Sequence, residues 1–369
     1  MLFAFLIFAP TIAFVPHYAN ILLVFKVIPK RLKLKISSNL IVLLLIVLLS
    51  EINIIARHLF IDSTTSEYVP YSILIILTFF VAKNLNSDHL RYLVYLILFE
   101  IFIGWIEFGL HKHTILSALY NFDFGQSEFG KGGLMYYSRV YGLSQNSSSF
   151  AYKVFGALLI TYSLPMKKAR RNIIYAILLS GILISFNRTV IGALLVFILI
   201  SQMPVLIRSL KRMVVFFKLR PYLIFVIVLG LVLVFTIFLN YTSIINQMNR
   251  GMTSVDTSSR EISYSYFLAF IKNNFWFGNM SVKLWYNHEG TLFHAHNSFV
   301  ETLASNGIFI FLLYMFFVLK NLNRYNAKFV MPILVLSVLQ YGIFWGISFL
   351  DIVFQYFLLR VNKANESSL

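Results

Sequence analysis

His294 and His296 are separated by one residue at the head of the stretch HAHNSFVETLASNG, directly before a long apolar run. Imidazole changes protonation state near neutral pH, so His296 is a candidate general base. An interfacial histidine with no chemical role is the plain alternative for each. A zinc site built from His288, His294 and His296 is a further one. Their spacing matches no helix pair, and Glu289 adjoins a histidine rather than standing where a base would, so no metal and no other cofactor is expected.

The other residues with chemical reach are arginines. Arg260, in TSVDTSSREISYSYFLAFIKNNFWFGN, falls in the first turn of an expected helix, where a cation opposes the macrodipole at a cost of a few tenths of a kcal/mol. Free N–H groups beside a guanidinium make a ready anion site, and phosphate fits it. Arg188, in ISFNRTVIGALL, repeats the arrangement behind Asn187, an expected N-cap. Arg139, in YSRVYGLSQNSSSFAY, precedes a third helix start. The bland alternatives are pairing of Arg260 with Glu261 or a lipid headgroup, and snorkelling of Arg188.

The elements that position these residues belong to a membrane fold. Of 369 residues, 59% are hydrophobic and 12% charged, which excludes an ordinary soluble domain. Apolar runs sit near 1–25, 36–56, 68–82, 91–109, 148–164, 172–186, 189–207, 221–239, 298–319 and 329–359, with Pro10 and Pro16 breaking the first and the last long enough for two short passes. These predict an all-α polytopic membrane protein of about eleven spans, roughly ten to twelve, forming one membrane domain over 1–369. The first run lacks the flank and cleavage site of a signal peptide and reads as a retained membrane segment.

The net charge of +17 does not point to nucleic acid, because the basic residues recur in short bursts between apolar runs. Most of them fall in alternate connections, which places those connections in the cytoplasm and leaves 110–147 and 240–297 as long outward loops. The second outward loop, which carries the candidate site, is expected to hold an interfacial helix. Ser258 and Glu261 form its capping box, Ile262, Tyr266, Ala269 and Phe270 its apolar stripe, and Phe275, Trp276 and Phe277 its anchors near Gly278. Ser298 and Glu301 form a second S-x-x-E capping box, which assigns most of the polarity after His296 to helix initiation. With no cysteine, disulfides and thiolate chemistry are excluded.

Inside the runs, Glu100 and Glu107 share a helix face, and Lys153, Glu51 and Asp351 fall in or near other spans. Intramembrane charges are functional candidates by default, and pairing of Lys153 with a carboxylate is the structural alternative.

The sequence resembles the O-antigen polymerases and O-antigen ligases of bacterial envelopes, the Wzy and WaaL type. SRVYGLSQNSSSFA is similar to the family's Arg-x-x-Gly-Leu plus Asn element, and SFNRTVIGALLVF to its Ser-x-Arg helix start. SSREISYSYFLAFIKNNFWFGN is similar to its Arg, aromatic and Gly stretch, and HAHNSFVETLASNGIFIFLLYMF to its His-Asn element with a Gly-containing membrane helix. The resemblance covers roughly 139–320. Residues 145–147 depart from it, lacking a proline that many members have, as does Asn187 where a serine often stands.

The resemblance implies metal-independent glycosyl transfer on the outer face of the bacterial cytoplasmic membrane, from an undecaprenyl diphosphate-linked oligosaccharide to a sugar hydroxyl. His296 would be the general base, and Arg260 and Arg188 would hold the diphosphate; from the residues alone Arg139 is a further diphosphate candidate, and His294 and Asn297 are candidates to contact glycan. Partners would be the lipid bilayer and the pathway's flippase and chain-length regulator. Polymerisation into O-antigen, capsule or exopolysaccharide is the leading expectation, and ligation to lipid A core the alternative. A transporter or flippase of the same lipids, with Glu100, Glu107, Lys153 and Asp351 along its pathway, is a reading of another class.

Overall fold

The computed structural model describes residues 1–13, 15, 17–27, 37–61, 71–110, 127–129, 135–137, 140–219, 260–288, 291–340, 342–344 and 346–360, with 17, 18, 21, 127–129, 135–137, 204–219, 260, 288 and 291 described by backbone alone. The described chain is mostly helical. Helix α1 (Leu2–Phe8) ends in a three-ten turn at Pro10, as the proline demands, and α2 is Ile21–Val27. Then follow α3 (Ser38–Phe60), α4 (Ile73–Asn84), α5 (Ser87–Leu110), α6 (Ser147–Ser163), α7 (Lys168–Ile184) and α8 (Arg188–Leu219). The second half holds α9 (Arg260–Asn273), α10 (Ser298–Asn321), α11 (Ala327–Leu339) and α12 (Phe349–Leu359). The expected run at 221–239 lies outside the described residues.

Two short antiparallel hairpins add to the all-α expectation: β1 (Ser127–Phe129) with β2 (Met135–Tyr137), and β3 (Tyr286–His288) with β4 (Thr291–Phe293). They pair backbone groups in connections that have no helical apolar period.

Among the described residues α3, α5 and α10 are long and apolar enough to cross a membrane, and several shorter helices are equally apolar. Helix α3 is apolar on both faces: Leu40, Val42, Leu43, Ile46 and Ile54 are buried in the bundle. Its exposed face is Ile41, Leu44, Leu48, Ile52, Ile55 and Leu59, whereas Ser50 and Asn53 are buried. That pattern suits a hydrocarbon surround, in which apolar side chains outside cost nothing. The apolar run after residue 329 does divide into two helices, with 340–348 between them.

Helices α3 and α10 run antiparallel, and their hydrogen bonds mark two ends of the bundle. At one end Asn39 and Asn321 pair (2.8 Å), and Asn326 donates to the Leu358 carbonyl (3.1 Å) among Lys320, Arg324, Lys328 and Arg360. At the other, Asn53 donates to Ser281 Oγ (3.3 Å) and Arg57 to Asn279 Oδ1 (2.7 Å). This second end is called the site end below.

Helix α10 is broken near the site end. Gly307 has φ 74° and ψ 178°, so the residues on either side lose helical partners. The turn after α9 supplies them: Asn279 N–H donates to Ala304 O (2.8 Å), Ser281 N–H to Ser305 O (2.8 Å), and Ile308 N–H to Phe275 O (3.0 Å). Satisfying these groups matters because a bare peptide in hydrocarbon costs several kcal/mol. The approach needs two glycines. A Cβ on Gly278 would lie 2.5 Å from Gly307 N, and one on Gly307 would lie 2.6 Å from Phe277 Cα.

The intramembrane charges are tied into the scaffold. Lys153 Nζ lies 2.7 Å from Glu100 Oε1, both side chains being almost fully buried, and donates to Thr11 Oγ1 (3.2 Å). Glu100 Oε1 also accepts from Leu143 N–H (3.1 Å) and Ser144 Oγ (2.9 Å). One face along, Glu107 Oε2 accepts from the N–H groups of Tyr141 (3.0 Å) and Gly142 (2.9 Å). The two carboxylates thus clamp the segment leading into α6. Asp351 forms a capping box with Ser348 at the start of α12 and accepts from Phe344 N–H (2.8 Å).

Candidate functional site

Helix α10 begins one residue earlier in its capping than the S-x-x-E pattern predicts. Asn297 is the N-cap, its side chain accepting from the N–H groups of Phe299 (2.8 Å) and Val300 (3.0 Å). An asparagine beside a serine competes for the same orphan donors, and here its extended backbone suits the cap. Ser298 is thereby free to hold a different segment, its Oγ accepting from Gly342 N–H (2.9 Å) and Ile343 N–H (3.1 Å). Glu301 reaches past the cap to Ala295 N–H (2.9 Å).

The two histidines precede this cap. His296 adopts φ 51°, the left-handed region that a residue with a Cβ enters at a cost. Its N–H donates to His294 Nδ1 (3.1 Å), and the ring centroids are 4.1 Å apart. Neutral His294 therefore carries its proton on Nε2, its Nδ1 lone pair being engaged. Both side chains are half-buried, and Ala295 between them is fully buried against Phe267 and Ala304.

The other predicted helix starts converge on the same end. Asn187 caps α8, accepting from Val190 N–H (3.1 Å), and Asn146 caps α6, accepting from Ser149 N–H (2.8 Å). Asn187 Nδ2 donates to Ser148 Oγ (3.1 Å), which also accepts from Gln340 Nε2 (3.4 Å). One turn into α9, the Tyr264 hydroxyl donates to Val338 O (3.3 Å). Residues 338, 340, 342 and 343, at and after the end of α11, therefore bond the starts of α9, α6 and α10, and α8 joins them through the Asn187–Ser148 bond. Four helix N-termini with partial positive charge are gathered around one strand of backbone.

The predicted site residues, Arg139 excepted, can be located on this frame. His294, His296 and Asn297 lie at the start of α10, and Arg188, half-buried, opens α8 directly behind its Asn187 cap. Arg260 opens α9, with only its backbone described. Arg139, and the Ser258 half of the first capping box, lie outside the described residues, as does the His288 side chain. The frame links the His296, Arg188 and Arg260 helix starts through 338–343, and supplies no placement for Arg139.

The apolar stripe expected on α9 for the membrane interface faces away from the protein, apart from the half-buried Phe270. Ile262, Tyr266 and Ala269 are exposed, whereas Ser263, Phe267 and Ile271 are buried, packed with Leu284, Ala295 and Ala304. Helix α9 ends at Asn273, and Trp276 then stacks on Phe309 of α10 (5.6 Å). An amphipathic pattern shows which residues are apolar but not which apolar face meets protein when lipid is the other choice.

Backbone strain collects here as well. Among the described residues those with positive φ other than glycine are Phe186, Met280, Ser281, His296 and Phe344, and every one lies in a connection at the site end. Strain of this kind persists where the surroundings over-determine it, which is a mark of binding and catalytic sites. No family model, curated protein or solved structure matches the chain.

Sequence reasoning passed over Ser148, Gln340 and the reach of Glu301. Gln340 carried a signal, as a lone amide at the end of an apolar run, where a polar side chain needs a partner. Ser148 is one of three consecutive serines, and nothing local separates it from its neighbours.

Proposed function

We propose that the chain is a membrane glycosyltransferase that joins undecaprenyl diphosphate-linked oligosaccharide repeats into a surface polysaccharide. One observation supports it above the rest: His296, bent into a left-handed conformation, stands at the bundle end where four helix N-termini gather, two of them opened by arginines. That is a proton acceptor beside an electropositive cradle, the combination that transfer from a lipid diphosphate requires.

In the proposed step the acceptor hydroxyl oxygen attacks the anomeric carbon of the donor sugar while the bond from that carbon to the diphosphate oxygen breaks. His296 takes the hydroxyl proton. Undecaprenyl diphosphate leaves, its growing negative charge met by Arg188, Arg260 and the helix N-termini, with Arg139 a third cation. At an effective dielectric near 20, one guanidinium about 4 Å from a phosphate charge gains roughly 4 kcal/mol. In open water the same pair would contribute under about 1 kcal/mol, so a site partly closed by lipid and protein is part of the proposal. The lipid diphosphate is already an activated leaving group, so no nucleotide or metal is needed.

The membrane is the bacterial cytoplasmic membrane, with about eleven spans and the site facing outward, where nucleotide sugars are absent. Polymerisation is favoured over ligation by the modest outward connections. Against transport stands the engagement of Glu100, Lys153 and Asp351 in buried pairs and caps.

The test is glycan analysis after deletion and complementation. The expected result is that wild-type protein restores long polymer, whereas His296→Ala and Arg260→Ala leave single lipid-linked repeats. Full-length polymer from both variants, with loss on Glu107→Gln instead, would overturn the enzyme in favour of a transporter.

A further inference from the structure

We infer that Glu301 is a positioning residue of this site, its buried carboxylate pinning the peptide between the two histidines and thereby holding His296 in its left-handed conformation. The inference rests on His296 acting as the base.

A carboxylate in the first turn of a helix ordinarily takes one of that helix's own orphan N–H groups. In α10 Asn297 already does so, accepting from both Phe299 and Val300. Glu301 is 1% exposed, and its Oε2 instead accepts from Ala295 N–H at 2.9 Å, ahead of the helix. Its Oε1 accepts from Ser305 Oγ (3.3 Å), and Ser305 Oγ accepts in turn from Leu284 N–H (3.4 Å). The carboxylate is thus fixed from the side away from the histidines, so that its pull on Ala295 has a rigid footing.

Ala295 is held from both directions. Its N–H is bound by Glu301, and its methyl group is fully buried against Phe267 and Ala304. The chain then has to turn within one residue to enter α10, and His296 makes that turn at φ 51°. An L residue stays in that region only when its neighbours hold it there. Its own N–H is bound by His294 Nδ1 (3.1 Å). Glu301 and His294 therefore fix successive peptide groups, and the direction of the His296 ring follows from them. A base must meet its proton within hydrogen-bond reach, so this direction bears on rate rather than on substrate affinity.

The experiment compares Glu301→Gln, Glu301→Asp, Glu301→Ala and His296→Ala in full-length protein in detergent. The substrate is lipid-linked repeats extracted from cells lacking the protein. Glutamine keeps the reach and an acceptor oxygen for Ala295 but loses the charge, whereas aspartate keeps the charge and loses the reach. Positioning predicts that Glu301→Gln is more active than Glu301→Asp, and that Glu301→Ala lowers kcat on the order of 10²-fold with KM nearly unchanged. The reverse order, aspartate above glutamine, would show that the charge itself acts and would sink the inference. So would a Glu301→Ala enzyme with wild-type kcat. If Glu301→Ala fails to fold, the comparison of the two conservative variants decides alone. An active His296→Ala variant would instead remove the base reading beneath it, an outcome distinguishable from the others.

Discussion

Replacing Gly307 by alanine adds one methyl group at the break in α10, and the structure sets what that costs. At φ 74° and ψ 178° the backbone lies in a region almost confined to glycine, so the substitution carries strain of about 1–3 kcal/mol. The new Cβ would also overlap the Trp276 carbonyl and lie 2.6 Å from Phe277 Cα, both backbone atoms with no rotamer to change. The turn after α9 must then withdraw. Three hydrogen bonds cross that contact, from Asn279, Ser281 and Ile308, and at about 1 kcal/mol each their weakening adds up to about 3 kcal/mol. The expected loss is about 1–6 kcal/mol from strain and hydrogen bonds together. The assay is thermal or denaturant unfolding of detergent-solubilised protein, with Gly192→Ala as the comparison, because nothing lies within 4 Å of a Cβ there. A Gly307→Ala protein within about 0.5 kcal/mol of its parent, the range of an inert surface change, would refute the account of the break.

Glu100→Gln should cost about 3–5 kcal/mol, because it leaves the Lys153 ammonium buried without its counter-charge. Adding Lys153→Met should recover part of that loss in a double-mutant cycle, and a double variant worse than the single would contradict it. Asn297→Ala should cost about 0.5–2 kcal/mol by thermal unfolding, as loss of a cap does. Ser298→Ala should raise hydrogen exchange at the amides of residues 342 and 343, and unchanged exchange there would break the link between α10 and the α11–α12 connection.

How much the sequence revealed depended on the distance over which each cause acts. Helix starts are local, and Asn187 caps as its position before an apolar run predicts. Even here a neighbouring residue can win the same role, as Asn297 does over Ser298. The apolar runs also declare themselves, because any helix in lipid needs them. Facing is not legible in the same way. In α9 the stripe read as interfacial, Ile262, Tyr266 and Ala269, is exposed, whereas the side that meets protein, Ser263, Phe267 and Ile271, carries no signal that sets it apart in the sequence. The gathering of four helix starts around 338–343 depends on contacts such as Gln340 to Ser148, nearly two hundred residues apart in the chain. No local pattern encodes them. The arginines and histidines could be singled out by residue type, but which helix starts share an end of the bundle needed the fold.

The ion pair between Glu100 and Lys153 has a consequence for biogenesis. Each charge alone, at the centre of a helix being handed to lipid, disfavours insertion by about 2.5–3.5 kcal/mol. Glu100 lies on α5 and Lys153 on α6, the next helix among the described residues. Neither can be released cheaply before the other arrives. The two should therefore leave the insertion machinery together as a pre-paired hairpin, with the segment held by Glu100 and Glu107 already folded between them.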